Sequence, residues 1–557
     1  MNCSKFNFMN HAIITYVVLV VFSLSSCKPM KEKADMIVLN SLVYTVNESF
    51  DTAEAFAVAK GMFIAVGTND EILNRFDADA ILDANGKPIY PGFIDGHCHF
   101  AGYGENLYRW ADLSGSRSFE EVLQRLKDHH DSHPSEWLLG RGWDQNHWDP
   151  PVFPDNKVLE KHFPGMKVLL VRIDGHASLV SQTALEAAGI DAHYTVRGGE
   201  VLLNEKGEPS GILIDNADLA VKELIPPITI SEKKEALLEA QKNCFAVGLT
   251  SVVDAGLPVE TIELIHALQQ EGRLLMKINA MISADEETMH HYFELGPYAD
   301  ERLTINTVKM FADGALGSRG ALLFEPYSDA PHTFGLMLHN PEFYYGVCQK
   351  AYDAGFQVSV HAIGDSANRF VLDMYAHFLK GHNDRRWRVE HAQIVHPSDF
   401  EKFEKFSIIP SIQSTHATSD MYWAIHRVGD ERIKGAYAQQ TLLKQNGWLI
   451  NGTDFPIEGI DPLQTFYAAV IRKDASGFPK GGFLPDQALD RLDAMRSMTI
   501  WAAKGSFEDK LKGSIEVGKH ADFVMLDKDL MKVPEQDILG INVLATYIHG
   551  EKVYQHE

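Results

Sequence analysis

Two histidines separated by one residue end a hydrophobic stretch, Pro91–Phe100 (PGFIDGHCHF). In an extended strand, residues two apart project from the same face, so His97 and His99 would direct two imidazoles toward one point while Cys98 faces away. This arrangement suits the binding of a divalent cation. A lone pair of this kind can also be two surface or core histidines, so the prediction of a metal site needs further ligands.

Other polar residues follow other apolar stretches of the chain. They are Lys309 in INTVKMFADG, His361 in QVSVHAIGD, His391 in WRVEHAQIV and Asp454 in WLINGTDFP. Any single one can be a hydrogen-bonded core residue, but together with the first two histidines they predict a metal centre. Strand alternation further predicts that Glu390 and His391 point to opposite sides, so that only one of them enters the site.

The elements that must position these residues are eight apolar stretches alternating with helical ones. The stretches end near His99, Asp254, Ile282, Phe311, His361, His391, Gln413 and Asp454. Strand, helix and glycine stop repeat in that order, which predicts an α/β fold with eight parallel strands closed into a (β/α)8 barrel. Active sites of such barrels lie at the carboxyl ends of the strands.

Two regions fall outside the barrel pattern. Short strands with turns at Lys60-Gly61 and Asn85-Gly86, both predicted as hairpins, begin the mature chain, and similar strands close it. One interval between the first and second barrel strands is too long for a single unit and carries its own strands and helix. The predicted domains are a composite β-sandwich (34–90 and 505–557), the barrel (91–504) and an inserted α/β subdomain over its mouth (103–230).

These motifs together resemble the amidohydrolase superfamily, in particular its amidohydrolase-3 branch, which includes N-substituted formamide deformylase-like enzymes. The resemblance is carried by PGFIDGHCHF, GRGWDQNHW, DGHAS, VKMFADGALGSRGA, HAIGDSA, RVEHAQ, GTDFPI and GSIEVGKHADFVMLD. It implies a sandwich plus a distorted barrel that holds one or two divalent metals, with two Zn²⁺ ions expected. By that resemblance His97 and His99 hold one metal, His361 and His391 hold the other, and Asp454 binds metal and moves protons.

The resemblance also implies that Lys309 is carboxylated by CO₂, giving a carbamate that bridges the metals. A lysine that forms an ion pair with Asp313 or with a substrate carboxylate is the alternative. The implied reaction is hydrolysis of a C–N bond in a small-molecule amide, such as an N-substituted formamide, by metal-activated hydroxide, with Asp454 as base and then acid. A mononuclear or non-hydrolytic enzyme of the superfamily, such as a deaminase, and an inactive ligand-binding lipoprotein stay open as alternatives.

Several residues are weaker candidates for substrate contact. They are Trp143 and His176 in the insertion, Arg319 after the fourth barrel strand and His416 after the seventh. For Trp143 and His176, packing within the subdomain is expected as much as contact with the substrate. The branch commonly has threonine where this chain has Gly320, which leaves the local contact of Arg319 open.

Composition and the first residues suggest where the protein works. A net charge of −25 excludes a nucleic-acid partner, since phosphate binding needs a basic face. An apolar run, 13–22, followed by Leu-Ser-Ser-Cys27, predicts a lipoprotein signal peptide (1–27) and export, with the only membrane contact through a lipid on Cys27. An ordinary cleaved signal is the alternative. The oligomeric state stays open, with a homodimer as one candidate.

Overall fold

A computed structural model describes residues 31–132 and 134–556. Its centre is a run of eight parallel strands that forms a nearly closed barrel. The strands are Phe93–Cys98, Leu249–Leu257, Lys277–Ser283, Leu303–Phe311, Gln357–Ala362, Arg388–His391, Ile409–Ile412 and Ile450–Asn451. The last strand meets the first where the Asp454 amide donates to the His97 carbonyl, at 2.8 Å. The predicted fold is confirmed.

Helices cover the outside of the barrel. The longer ones are Phe100–Arg109, Ile230–Ala246, Val259–Gln270, Glu286–Leu295, Pro341–Ala354, Asp365–Leu379 and Pro462–Ile471. Shorter helices are Glu401–Lys405, Ser414–Asp420, Ala424–Arg432, Gln439–Asn446, Arg491–Ser497 and Ile500–Gly505. Local sequence sets their ends: Thr229 and Glu232 form a capping box, and Gly355 ends its helix in the left-handed region. Within the described residues, none of the helices is both long and apolar enough to cross a membrane.

Strands from both chain ends form two sheets beside the barrel. One sheet contains Ala55–Ala59, Met62–Gly67, Glu32–Leu39 and Phe76–Asp83. The other joins Leu42–Tyr44, Thr52–Ala53 and Pro88–Pro91 to Phe523–Leu526, Val543–Ile548 and Glu551–Gln555 from the far end of the chain. Lys60-Gly61 turns a hairpin as predicted. Asn85-Gly86 also turns, but the strands on either side enter different sheets, so the hairpin prediction there is wrong.

The long interval after the first barrel strand builds a third sheet. Its strands are Ala111–Asp112, Trp137–Trp143, Lys167–Arg172, Ala177–Val180, Gly199–Leu203 and Pro209–Asp215, with helices Phe119–Ser132, Lys157–His162, Gln182–Ala187 and Leu219–Lys222. Apolar cores fill both faces of this sheet. Residues that follow its strands lie against the carboxyl ends of the barrel strands and enclose a cavity with them.

Candidate active site

Three side chains at the carboxyl end of the barrel converge on one point. One ligand atom from each of His97, His391 and Asp454 lies within 4.8 Å of the other two, and all three residues are buried. The Oδ1 atom of Asp454 is 3.4 Å from His97 Nε2 and 3.2 Å from His99 Nε2. The remaining two residues predicted from strand ends, His361 and Lys309, lie beside this group. All six predicted residues therefore meet at one site.

His361 and Lys309 complete that group. The His361 ring lies 4.5 Å from the His391 ring, and the Lys309 Nζ atom lies 3.3 Å from His97 Nε2. The ion pair between Lys309 and Asp313 does not form. The Asp313 carboxylate instead accepts the backbone N–H groups of Leu322, Ile363 and Gly364. Burial lowers the pKa of Lys309 to about 8, so a neutral amine is accessible near physiological pH.

The donor set fits a divalent cation. Burial lowers the pKa of His99, His361 and His391, which keeps these imidazoles neutral with a lone pair to offer. Burial alone would raise the pKa of Asp454, but its contacts with His97 and His99 hold it well below its ordinary value. Its buried Oδ1 atom has no hydrogen bond to satisfy it. Neutral imidazoles around an unsatisfied carboxylate oxygen are the ligands that zinc prefers.

A second layer of contacts orients two of the histidines. Glu390 is fully buried, and its Oε2 atom lies 2.8 Å from His97 Nδ1. The same carboxylate is held by Arg388 at 2.7 Å and by the Ser359 hydroxyl, which donates at 2.7 Å. The Nδ1 atom of His391 lies 2.6 Å from Gln413 Oε1. A partner at Nδ1 fixes the ring and leaves Nε2 facing the site.

The prediction that Glu390 and His391 point to opposite sides is wrong. Glu390 contacts His97 inside the barrel, and His391 lines the cavity above it. The reason is local backbone: His391 has φ of 71° and Ala392 has φ of 41°, so the strand geometry ends at His391. Alternation holds only while the backbone stays extended.

Asp454 is placed by the loop after the last barrel strand. The buried Asp95 carboxylate accepts from the His97 amide at 3.1 Å and from the Thr453 hydroxyl at 2.7 Å, which ties this loop to the first strand. Gly452 packs so closely that a Cβ there would lie 2.5 Å from the His97 nitrogen. Asp454 itself has φ of 61°, in the left-handed region.

The cavity above the cluster measures about 670 Å³. The barrel contributes His99, Lys309, His361, His391 and Asp454 to its lining, and the inserted sheet contributes Arg141, Asp144, Arg172, Asp174 and His176. His176 lies with its ring 5.2 Å from that of His361, and its Nδ1 atom is 2.6 Å from Asp215 Oδ1. Burial would lower the pKa of His176, but nearby carboxylates, Asp215 first, raise it.

The other substrate candidates lie in different surroundings. His416 lines the cavity and stacks on His391, with ring centroids 5.8 Å apart. Trp143 lies in the core of the inserted subdomain, where its indole N–H donates to Leu170 O at 2.8 Å. Arg319 pairs with Asp329 at 3.0 Å, and neither it nor Trp143 is among the described residues that line the cavity.

Three residues of the site were missed from sequence. Arg141 lies in GRGWD, a motif recognised for its other residues, and a charged residue in an otherwise apolar strand was the available signal. Asp215 and Gln413 orient His176 and His391 from elements distant in the chain. No local pattern marks such partners, because only tertiary packing brings them to the histidines.

Comparisons with known proteins agree with this geometry. A model of the amidohydrolase family matches residues 80–554. The putative amidohydrolase YtcJ of Bacillus subtilis (strain 168) is 32% identical over 526 residues, covering 92% of this chain and 98% of that protein. N-substituted formamide deformylase of Arthrobacter pascens is 25% identical over 554 residues, covering 94% and 99%.

A solved structure is similar over the same extent. The crystal structure of an uncharacterized metal-dependent hydrolase from Pyrococcus horikoshii OT3 has a TM-score of 0.73 and 28% sequence identity, covering 90% of this chain and 99% of that one. The resemblance inferred from the motifs is thereby confirmed. With a family model that matches most of its length, and with histidines and an aspartate placed to bind metal, the chain belongs to the amidohydrolase family of metal-dependent hydrolases.

Proposed function

We propose that this hydrolase cleaves a C–N bond in a small-molecule amide, with N-substituted formamides as the first class to test. The observation that carries the proposal is the position of the Asp454 carboxylate, which lies beside two histidines and faces the cavity. The similarity to a protein named N-substituted formamide deformylase supports the choice of bond.

The residues divide the work of such a reaction. Bound divalent cations would lower the pKa of a water molecule and polarise a carbonyl group. Asp454 is ionised near pH 7, so it can accept the proton that the attacking water gives up. The same carboxyl group then delivers that proton to the leaving nitrogen, which is a poor leaving group without it.

In this proposal His176 contacts the substrate from the inserted subdomain, across the cavity from Asp454. Asp215 fixes the ring through Nδ1, so Nε2 is the free nitrogen of an imidazole that lines the cavity close to His361. A hydrogen bond from this position would stabilise negative charge that develops on the substrate oxygen. The inserted subdomain thus completes a site that the barrel begins.

We further propose two Zn²⁺ ions per chain and a carbamate on Lys309. The support is the number of donors: four histidines and one aspartate exceed what a single tetrahedral ion takes up. The buried amine of Lys309, with its pKa of about 8, lies 3.3 Å from His97 Nε2, where a carbamate would reach the same ions.

Metal content and turnover test both parts of the proposal. We expect about two zinc ions per chain and activity on N-substituted formamides that a chelator abolishes. The variant Lys309→Met should retain one ion or fewer, while His147→Gln, at the cavity but outside the metal group, should retain both. One ion in the unmodified protein would favour a mononuclear enzyme such as a deaminase. Full metal content without turnover of any amide would refute the hydrolytic assignment.

We also propose that the enzyme is exported and held at a membrane by a lipid on Cys27. This residue and the leader before it lie outside the described residues, so the proposal depends on the Leu-Ser-Ser-Cys pattern alone. Labelling with a radioactive fatty acid should mark the protein, and Cys27→Ser should abolish the label. A labelled Cys27→Ser variant, or an unlabelled parent, would contradict it.

A further inference from the structure

Arg141 forms no ion pair within the described part of the chain, although the charges of Asp174 and Asp454 lie near enough to favour its cationic form. It lies on the strand Trp137–Trp143 and lines the cavity. Its one hydrogen bond is long, 3.4 Å from Nη2 to the Ile173 carbonyl, although a guanidinium has five N–H groups to donate. The buried Nε has no hydrogen-bond partner, and among residues 31–132 and 134–556 no carboxylate oxygen forms an ion pair with Arg141.

A second arginine of the cavity wall, Arg172, has the ion pairs that Arg141 lacks. Arg172 is fully buried and forms ion pairs with Asp144 on one side and Asp174 on the other. Its Nε donates to Gln145 Oε1 at 2.8 Å. Asp174 also accepts the His176 amide at 3.0 Å. Of the two carboxylates whose charges act on Arg141, Asp174 is therefore engaged with other donors, and Asp454 belongs to the metal group.

An unpaired cation in an enclosed site lowers stability unless something offsets its loss of solvation. Gly175 lies against the guanidinium, since a Cβ atom there would be in van der Waals contact with the Arg141 Nη2 atom, at 3.6 Å. Leu107, Trp110 and Ile173 give the cavity an apolar part of its wall, beside acidic residues such as Asp420 and Glu458. A planar anion is the partner that a guanidinium binds best, through two parallel hydrogen bonds.

We propose that Arg141 binds a carboxylate carried by the amide substrate, opposite the bond that is cleaved. This rests on the proposed function, because the same cavity is used. It narrows the substrate class to amides with an apolar group and a free carboxylate, as in N-formyl or N-acyl amino acids. Arg141 then determines specificity and takes no part in proton transfer.

A matched pair of probes tests this without requiring turnover. Racemic N-formylphenylalanine and its carboxamide, N-formylphenylalaninamide, differ in one charge. Binding of each to the metal-replete protein is measured by calorimetry, and hydrolysis is followed separately. We expect the acid to bind on the order of 10- to 100-fold more tightly than the carboxamide. Arg141→Gln should remove that difference and leave carboxamide binding within about threefold, while Arg141→Lys should restore part of it.

The control is Arg109→Gln, an arginine on Phe100–Arg109 that pairs with Glu105 and does not line the cavity. This variant should keep the full preference for the acid. Equal binding of the two probes, no binding of the acid at millimolar concentration, or equal weakening of both probes by Arg141→Gln would overturn the inference. A preserved preference with neither probe hydrolysed would instead count against the C–N hydrolase proposal and leave the anion site in place.

Discussion

Replacing Glu390 by glutamine tests whether the contact beneath the metal ligands sets their affinity. In the parent, His97 Nδ1 lies 2.8 Å from a fully buried carboxylate, a contact that favours the proton on Nδ1 and directs Nε2 toward Asp454. Glutamine keeps the shape but turns one oxygen into an NH₂ group. Arg388 Nη2 donates to Oε2 of this carboxylate and Arg388 Nε lies 2.7 Å from Oε1, so the amide cannot satisfy arginine and imidazole equally well.

The expected loss follows from that conflict. Partners of this kind change metal affinity by about 10- to 100-fold, which corresponds to about 1.4 to 2.7 kcal/mol. We expect Glu390→Gln to fold and to lose zinc to a competing chelator at a correspondingly lower chelator concentration. Metal content after equilibrium dialysis against graded chelator is the assay, with thermal unfolding as a check on folding.

Asp254→Asn is the matched control. This carboxyl group also lies on a barrel strand, Leu249–Leu257, and is also buried, and burial raises its pKa to about 7. It accepts the Ala101 amide at 3.0 Å and holds no imidazole ring. Its replacement should therefore leave zinc affinity within about threefold of the parent. If Glu390→Gln bound zinc as tightly as the parent, the reasoning that links the Nδ1 contact to affinity would be refuted.

Three further outcomes follow from the same structure. Asp454→Asn should lower kcat by about 10²- to 10⁴-fold in steady-state assays, and an unchanged kcat would exclude it as the proton carrier. Trp143→Ala should cost about 3–5 kcal/mol in chemical denaturation, because the indole is 1% exposed in the subdomain core; a loss below about 1 kcal/mol would contradict that packing role. Burial and Lys277 lower the pKa of His520 to about 4, so the unfolded chain takes up this proton first and stability falls as pH drops from 6.5 toward 4. His520→Gln should flatten that acid loss by about 1 kcal/mol after allowance for partial exposure, as measured by denaturation at pH 7 and pH 5.

The barrel could be predicted because short segments of the sequence are enough to indicate its strands and helices. Most strands are short apolar runs, and several helices have a stop signal in the sequence, as at Gly355. Polar residues at the strand ends, such as His361, then fall at one end of the barrel by topology alone. The Asn85-Gly86 turn marks the limit of this reasoning: the residues predict a turn, but the choice of strand partner depends on which sheet each strand joins.

The site beyond the metal ligands could not be obtained in the same way. Alternation predicted that Glu390 would face away, and the positive φ of His391 made the prediction wrong. A positive φ at a non-glycine residue has no sequence pattern, since the surrounding contacts impose it. Asp215 and Gln413 were missed because each meets its histidine only after separate elements pack.

The division between barrel and insertion explains why metal binding and substrate choice follow different rules in this chain. The order of the parallel strands brings the strand ends that carry His97 and His361 to one edge of the barrel, and the loop after the last strand adds Asp454. The sheet of the inserted subdomain does not pair with the barrel strands. The positions of its charged side chains depend on ion pairs within the subdomain. Arg172 is fully paired there and Arg141 is not. One arginine is neutralised by two carboxylates and its neighbour has no ion pair within the described residues, and this asymmetry is what supports the proposed anionic substrate.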